Sequence, residues 1–150
     1  MMFAWVLSLM IFLQPAAPWL ETYESTAQGI IDGAKAAPLY SGPWSIERTI
    51  ALDVSIAWFE SRFDTHAIGD KGAAHGLYQV HAPEAETVKQ QTIEANRMVK
   101  QSFKACSRRD VIEWLGWYAA GGKDCNRGLQ ASRHRMLKAI WLFKNHPPSE

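Results

Sequence analysis

The chain has 150 residues, 47% of them hydrophobic and 21% charged, with a net charge of +1. That is enough chain for one domain with a core of ordinary size, and it is too apolar for a disordered one. The small net charge supplies no global field to draw nucleic acid or a membrane.

Residues Met1 to Leu13, MMFAWVLSLMIFL, carry no charge and one polar residue, Ser8. The run is too short to span a bilayer. It has the length of a signal-peptide apolar region, and Gln14-Pro15-Ala16-Ala17-Pro18 follows with small residues and a break. No Lys or Arg precedes Lys35, so only the amino terminus is positive at the front. Residues 1–18 are read as a signal peptide or membrane-tethering segment and 19–146 as the domain. The alternative is a buried N-terminal helix. The first reading sends the protein to the periplasm, the envelope or the medium.

Leu20 to about Lys35 reads as a helix with Leu20, Tyr23, Ala27, Ile30 and Ile31 on one side. Ala36 to Pro43 is a loop, and Pro43 suits a first helical turn. Ile46, Ile50, Val54 and Trp58 recur every four residues and predict a helix from about Trp44 to Ser61. Asp64 to His75 holds Gly69 and Gly72 without helical period, which predicts an ordered loop with a short hairpin. Leu77 to Val80 reads as a short strand or a helix start, ended by Pro83. Glu84 to Ala105 predicts one or two helices. Asp110-Val111-Ile112-Glu113 has the form of a capping box opening a helix to Ala120, and Gly121-Gly122 stops it. A last helix runs from Leu129 to Phe143 through Leu129, Met136, Leu137, Ile140 and Trp141, and Pro147-Pro148 frays the end. The fold class is mainly α, with a small β-like hairpin beside a cleft.

Cys106 and Cys125 are the only cysteines. A disulfide between them would close a loop of about twenty residues and stabilise by ~3 kcal/mol. In a reducing compartment they are two buried thiols. From Lys123 to Lys144 the chain carries Lys123, Arg127, Arg133, Arg135, Lys138 and Lys144 against Asp124 alone. That run suits a polyanion such as a cell wall, and a solvated helix face is the plainer reading.

The chemistry centres on Glu60. It follows Trp58-Phe59 and stands three residues before Phe63. A carboxyl among apolar rings loses hydration, which raises its pKa, and a raised pKa is what a general acid needs at neutral pH. Taken singly, such a glutamate is a solvated acid at a helix end. The order of the parts says more: Glu60-Ser61-Arg62-Phe63, a glycine-rich loop, Gly76-Leu77-Tyr78-Gln79-Val80, and Tyr118-Ala119-Ala120-Gly121 far downstream.

This order resembles the lysozyme-like superfamily, closest to its lytic transglycosylases and goose-type lysozymes, from about Ile46 to Gly121. Those proteins carry Glu-Ser, a loop, Gly-Leu-Met-Gln-Ile and a later Tyr-Asn-Ala-Gly. The resemblance implies Glu60 as the catalytic acid, with Ser61, Gly76, Tyr78, Gln79 and Tyr118 at the saccharide cleft. Ser61 would orient the acid or a sugar, Gly76 would allow close approach, and Tyr78 would stack on a sugar or simply pack. Ala119 stands where the family has Asn. Ala73-Ala74-His75 stands where animal-type lysozymes carry a second carboxylate.

Glycosidases usually use two carboxylates, and the candidates here are Asp64 and Asp70, both equally suited to turns. The one-acid scheme of lytic transglycosylases fits better. It cleaves the β-1,4 bond between N-acetylmuramic acid and N-acetylglucosamine to a 1,6-anhydro product. Alternatives are a hydrolytic lysozyme and a non-catalytic peptidoglycan binder. The expected partner is the peptidoglycan glycan strand, met by a monomer with no cofactor, no metal and no nucleic acid. A phage-encoded or virion-associated origin fits the same motifs. His66, His75 and His81 beside Asp64 and Asp70 supply a rival metal site, although their spacing matches no metal pattern.

Overall fold

A computed structural model describes residues 1–82 and 84–149. Its helices are α1 (Met2–Leu13), α2 (Tyr23–Ala36), α3 (Ser45–Ser61), α4 (Val88–Ala105), α5 (Gly116–Ala119) and α6 (Leu129–Asn145). Two short strands, β1 (Ile68–Gly69) and β2 (Ala74–His75), pair antiparallel with Ile68 opposite His75. The protein is mainly α with one small hairpin.

Helix α3 is the axis of the core. Every residue from Thr49 to Ala57 on it is buried, because α1, α2 and α6 all pack around it. Helix α4 lies against α2 at close range. A Cβ at Gly29 would meet Val88 Cβ at 2.6 Å, and one at Gly33 would meet Thr92 Cβ at 2.4 Å. Two glycines one turn apart thus remove the side chains that would hold these helices apart.

The segment 1–18 is part of this core in the structure. Trp5, Val6, Leu9 and Met10 are buried. The Trp5 indole donates to the His146 carbonyl at 2.7 Å, and the Tyr23 hydroxyl donates to the Gln14 carbonyl at 2.7 Å. Helix α1 packs on α2 and α3 in this structure. Among the described residues, no helix is long and apolar enough to cross a membrane.

Three local expectations change. Leu77 to Val80 is neither strand nor helix. It is a turn that closes on an isolated bridge between His75 and Val80; Pro83, read as its end, lies outside the described residues. Helix α4 starts at Val88 and not at Glu84, because Thr87 and Gln90 form a reciprocal capping box there. The capping box read at Asp110 does not form. Asp110 makes no side-chain cap bond, and Glu113 instead pairs with Arg133 on α6. The segment starts as a 3-10 turn, Val111–Glu113, before the short α5.

Cys106 and Cys125 are disulfide-bonded with their Cα atoms 5.9 Å apart. The bond ties the end of α4 to the turn before α6. Around it, the Ser102 hydroxyl donates to the Trp114 carbonyl at 2.7 Å and accepts from the Tyr118 N–H at 3.0 Å. These links fix α5, and α5 carries Tyr118.

Candidate active site

Helix α3 stops abruptly after Ser61. Arg62 and Phe63 both take left-handed backbone, with φ of 53° and 67°. Phe63 is fully buried and packs edge-on to Tyr23, at 5.7 Å between ring centroids. That packing stabilises a backbone a phenylalanine rarely adopts. The stop leaves Glu60 in the last turn of α3, facing a cleft of about 690 Å³ between the hairpin loop, α5 and α6. Asp70, Lys71 and Gln79 are also left-handed. Strained non-glycine backbone is thus concentrated between residues 62 and 79, as functional sites commonly show.

The Glu60 side chain is 23% exposed and that of Arg135 is 15% exposed. Glu60 Oε1 accepts from Arg135 Nε at 3.2 Å and from Nη2 at 3.0 Å. The Arg135 guanidinium also lies 4.9 Å from the centre of the Phe59 ring. Burial pushes the Glu60 carboxyl above its ordinary value. Arg135 pulls the other way by charge and hydrogen bond, and Asp70 adds to the rise; the net direction is up. Desolvation therefore outweighs a direct ion pair.

Tyr118 is buried on the cleft wall, and its hydroxyl donates to the Tyr78 carbonyl at 3.3 Å. Burial first, then the charges of Glu60 and Asp53, push its pKa well up. The phenol stays neutral beside the acid.

The other residues read at the cleft divide. Gln79 lines it, but its amide nitrogen is spent on the Ala67 and Gly76 carbonyls, at 2.9 and 3.0 Å. It braces the hairpin loop. The Ser61 hydroxyl donates to the Leu77 carbonyl at 2.7 Å. It ties the helix end to the loop and makes no bond to Glu60. Tyr78 is the packing residue of its two readings: its ring is buried and its hydroxyl bonds to Thr92 Oγ1 at 2.8 Å. Gly76 is buried away from the cleft. With φ of +76° it lets the backbone pass Gln91, whose Oε1 would lie 2.5 Å from a Cβ there. The close approach is to a side chain of α4, and the Gln91 Oε1 also accepts the Leu77 N–H at 2.9 Å.

Asp70 stands on the cleft rim, largely exposed, with its Oδ2 3.1 Å from His81 Nε2. Asp64 does not line the cleft. Its Oδ1 accepts the His66 N–H at 3.0 Å, which makes it a turn residue. Among the described residues, no three His, Cys, Asp or Glu side chains converge as a metal site requires.

Arg135 and Lys123 both line the cleft, and the sequence showed them only as members of a basic run. Arg135 reaches Glu60 across 75 positions of chain. It gets there because α6 docks on α3, where the Ser55 hydroxyl donates to the Arg135 carbonyl at 2.7 Å. No local pattern carries that signal. Compared with protein families, curated proteins and solved structures, the chain has no match.

Proposed function

We propose that this protein cleaves peptidoglycan by lytic transglycosylation, with Glu60 as its acid and base. The observation that carries this reading is a carboxyl raised by burial at the floor of a large cleft, in the Glu-Ser, Gly-Leu-x-Gln and Tyr order described above. Both Arg135 contacts fall on Oε1, and among the described residues Oε2 has no hydrogen-bond partner. Oε2 is the oxygen left to carry the proton.

Oε2–H protonates the glycosidic oxygen, the bond to the muramoyl C1 breaks, and the leaving sugar departs as an alcohol. The substrate's own acetamido oxygen supports C1. Arg135 then stabilises the carboxylate that has formed. That carboxylate takes the proton of the muramoyl 6-hydroxyl, whose oxygen bonds to C1 and closes the 1,6-anhydro ring. Glu60 ends protonated, as it began. The neutral Tyr118 beside it donates no proton in this scheme and shapes the wall.

Hydrolysis is the second reading, and Asp70 on the cleft rim favours it because it is the other carboxylate at the site. Mass spectrometry of peptidoglycan digested by wild type and by Glu60→Gln tests both. Anhydromuropeptides from the wild type alone are expected. Reducing-end muropeptides would make the enzyme a hydrolase and assign water activation to Asp70. No product from a folded wild type would overturn catalysis and leave a peptidoglycan-binding protein.

A further inference from the structure

Helix α6 has two apolar faces. Met136, Ala139 and Leu142 point inward with Ser132 and are buried. Leu137, Ile140 and Trp141 share the opposite stripe, with Lys144 one turn on, at the i, i+3, i+4, i+7 spacing of an amphipathic helix. They are 50%, 50% and 41% exposed. The stripe continues on one side to Phe12, itself half exposed, whose ring stacks on Trp141 at 5.8 Å. On the other side it runs into an apolar groove of about 310 Å³ beside Val111 and Phe143, edged by Arg48 and Lys144.

Cations border this surface. Lys138 Nζ lies 5.3 Å from the Trp141 ring and 5.6 Å from the Trp58 ring. Arg62 covers the Trp58 ring at 4.0 Å. Among the described residues none of Arg48, Arg62, Lys138 or Lys144 forms an ion pair, and α6 contains no acidic residue. Exposed Trp, Leu, Ile and Phe with unpaired Lys and Arg around them is the make-up of a surface that rests in a headgroup layer.

We propose that this face docks the protein on an anionic lipid bilayer. The apolar stripe enters the headgroup–acyl boundary, Lys138 and Lys144 reach to phosphates, and Arg48 receives a headgroup at the mouth of the groove. A second copy fits less well. A two-fold partner would bring the unpaired Lys138 and Lys144 of both copies into one interface, and so few apolar side chains fall short of the roughly 1,200 Å² a stable pair buries. A glycan strand wants convergent polar groups, and Leu137 and Ile140 offer none.

The test is co-sedimentation of the full chain with vesicles of phosphatidylcholine alone and with about a third phosphatidylglycerol, across a salt series. Binding to the anionic vesicles, weakened by salt, is expected. Lys138→Ala with Lys144→Ala should lower the partition coefficient about 25-fold. Leu137→Gln with Trp141→Gln should lower it about tenfold or more. These four side chains are outside the buried core, and circular dichroism checks that each variant is folded. Absence of binding at low salt overturns the proposal. So does binding that the Leu137 and Trp141 pair leaves unchanged, since the apolar stripe is then not used. Sedimentation equilibrium showing a dimer that the same pair dissolves gives the face to a second copy. Retention on peptidoglycan sacculi that the pair abolishes gives it to the wall.

Discussion

Two carboxyl groups sit on α3 seven residues apart, on one side of the helix and about 10 Å apart along its axis. Burial raises the pKa of both. Asp53 is sealed in the core. Its Oδ2 accepts from Asn96 Nδ2 at 3.0 Å, and among the described residues its Oδ1, the Asn96 Oδ1 and the Thr26 hydroxyl have no partner. Glu60 opens on a cleft and meets a cation. Desolvation alone therefore does not make a catalytic acid. Asp53 has the larger burial and nothing to give a proton to. Glu60 has access, a partner that stabilises its ionised form, and one oxygen left unengaged.

The sharpest way to break this contrast is to neutralise each acid without changing its shape. Glu60→Gln should reduce release of anhydromuropeptides by about 10²- to 10⁴-fold, while Asp53→Asn should leave turnover near that of the wild type. Equal losses in the two variants, with both folded, would erase the distinction.

Next in size is the cost of emptying the sealed site. Asp53→Ala leaves one Asn96 N–H unpaired, the amide nitrogen keeping its bond to the Ala37 carbonyl, and should destabilise by about 1–3 kcal/mol in urea unfolding. Asp53→Asn should cost much less, because it keeps the shape and carries no charge to bury. The pH dependence follows with a fixed sign. The folded state holds the Asp53 proton more tightly than the unfolded chain does. The stability that Asp53 contributes is thus full below the unfolded carboxyl pKa and is lost as pH rises through the folded one. Asp53→Asn should flatten that fall, leaving the part due to Glu60. A wild-type stability that rises relative to Asp53→Asn over the same range would show Asp53 to be ionised in the fold.

Gly76→Ala probes the wall behind the cleft. Its Cβ would collide with Gln91 in a left-handed backbone, and a loss of about 1–3 kcal/mol is expected. Gln91→Ala should relieve the collision but not the strain, and it leaves the Leu77 N–H without its acceptor, so the double variant should stay well below the wild type. Full recovery would show that neither the backbone angle nor the lost Leu77 bond costs stability.

The subtlest test is electrostatic. Arg135→Ala removes the cation that holds Glu60 down, so the acid's pKa should rise further. The alkaline limb of kcat/KM should then move to higher pH. A limb that stays in place would mean that Arg135 does not face the ionising group during turnover.

Much of the fold was legible along the chain. Four-residue periodicity on α3 and glycines in the loop at 64–75 placed a helix, a stop and a hairpin. Aromatics flanking Glu60 announced its desolvation, because neighbours in sequence at a helix end are neighbours in space. The two cysteines left one pairing to consider. What the sequence did not show rests on contacts between distant segments. Arg133 draws Glu113 away from its cap, Thr92 takes the Tyr78 hydroxyl, and Leu77 takes the Ser61 hydroxyl.

Periodicity tells which side of a helix is apolar, but not which apolar side a neighbour will cover. On α6 the sequence marked the helix by Leu129, Met136, Leu137, Ile140 and Trp141, and of these the structure buries Met136 alone, together with Ala139 and Leu142. By itself, the sequence determined the helices, the hairpin and the position of one acid among aromatic rings, since these follow from local backbone preference and short-range burial. Only the tertiary structure shows which surface α1 packs on, that Arg135 meets Glu60, and that a second apolar face stays uncovered. Those outcomes depend on how helices far apart in the chain share a limited buried volume.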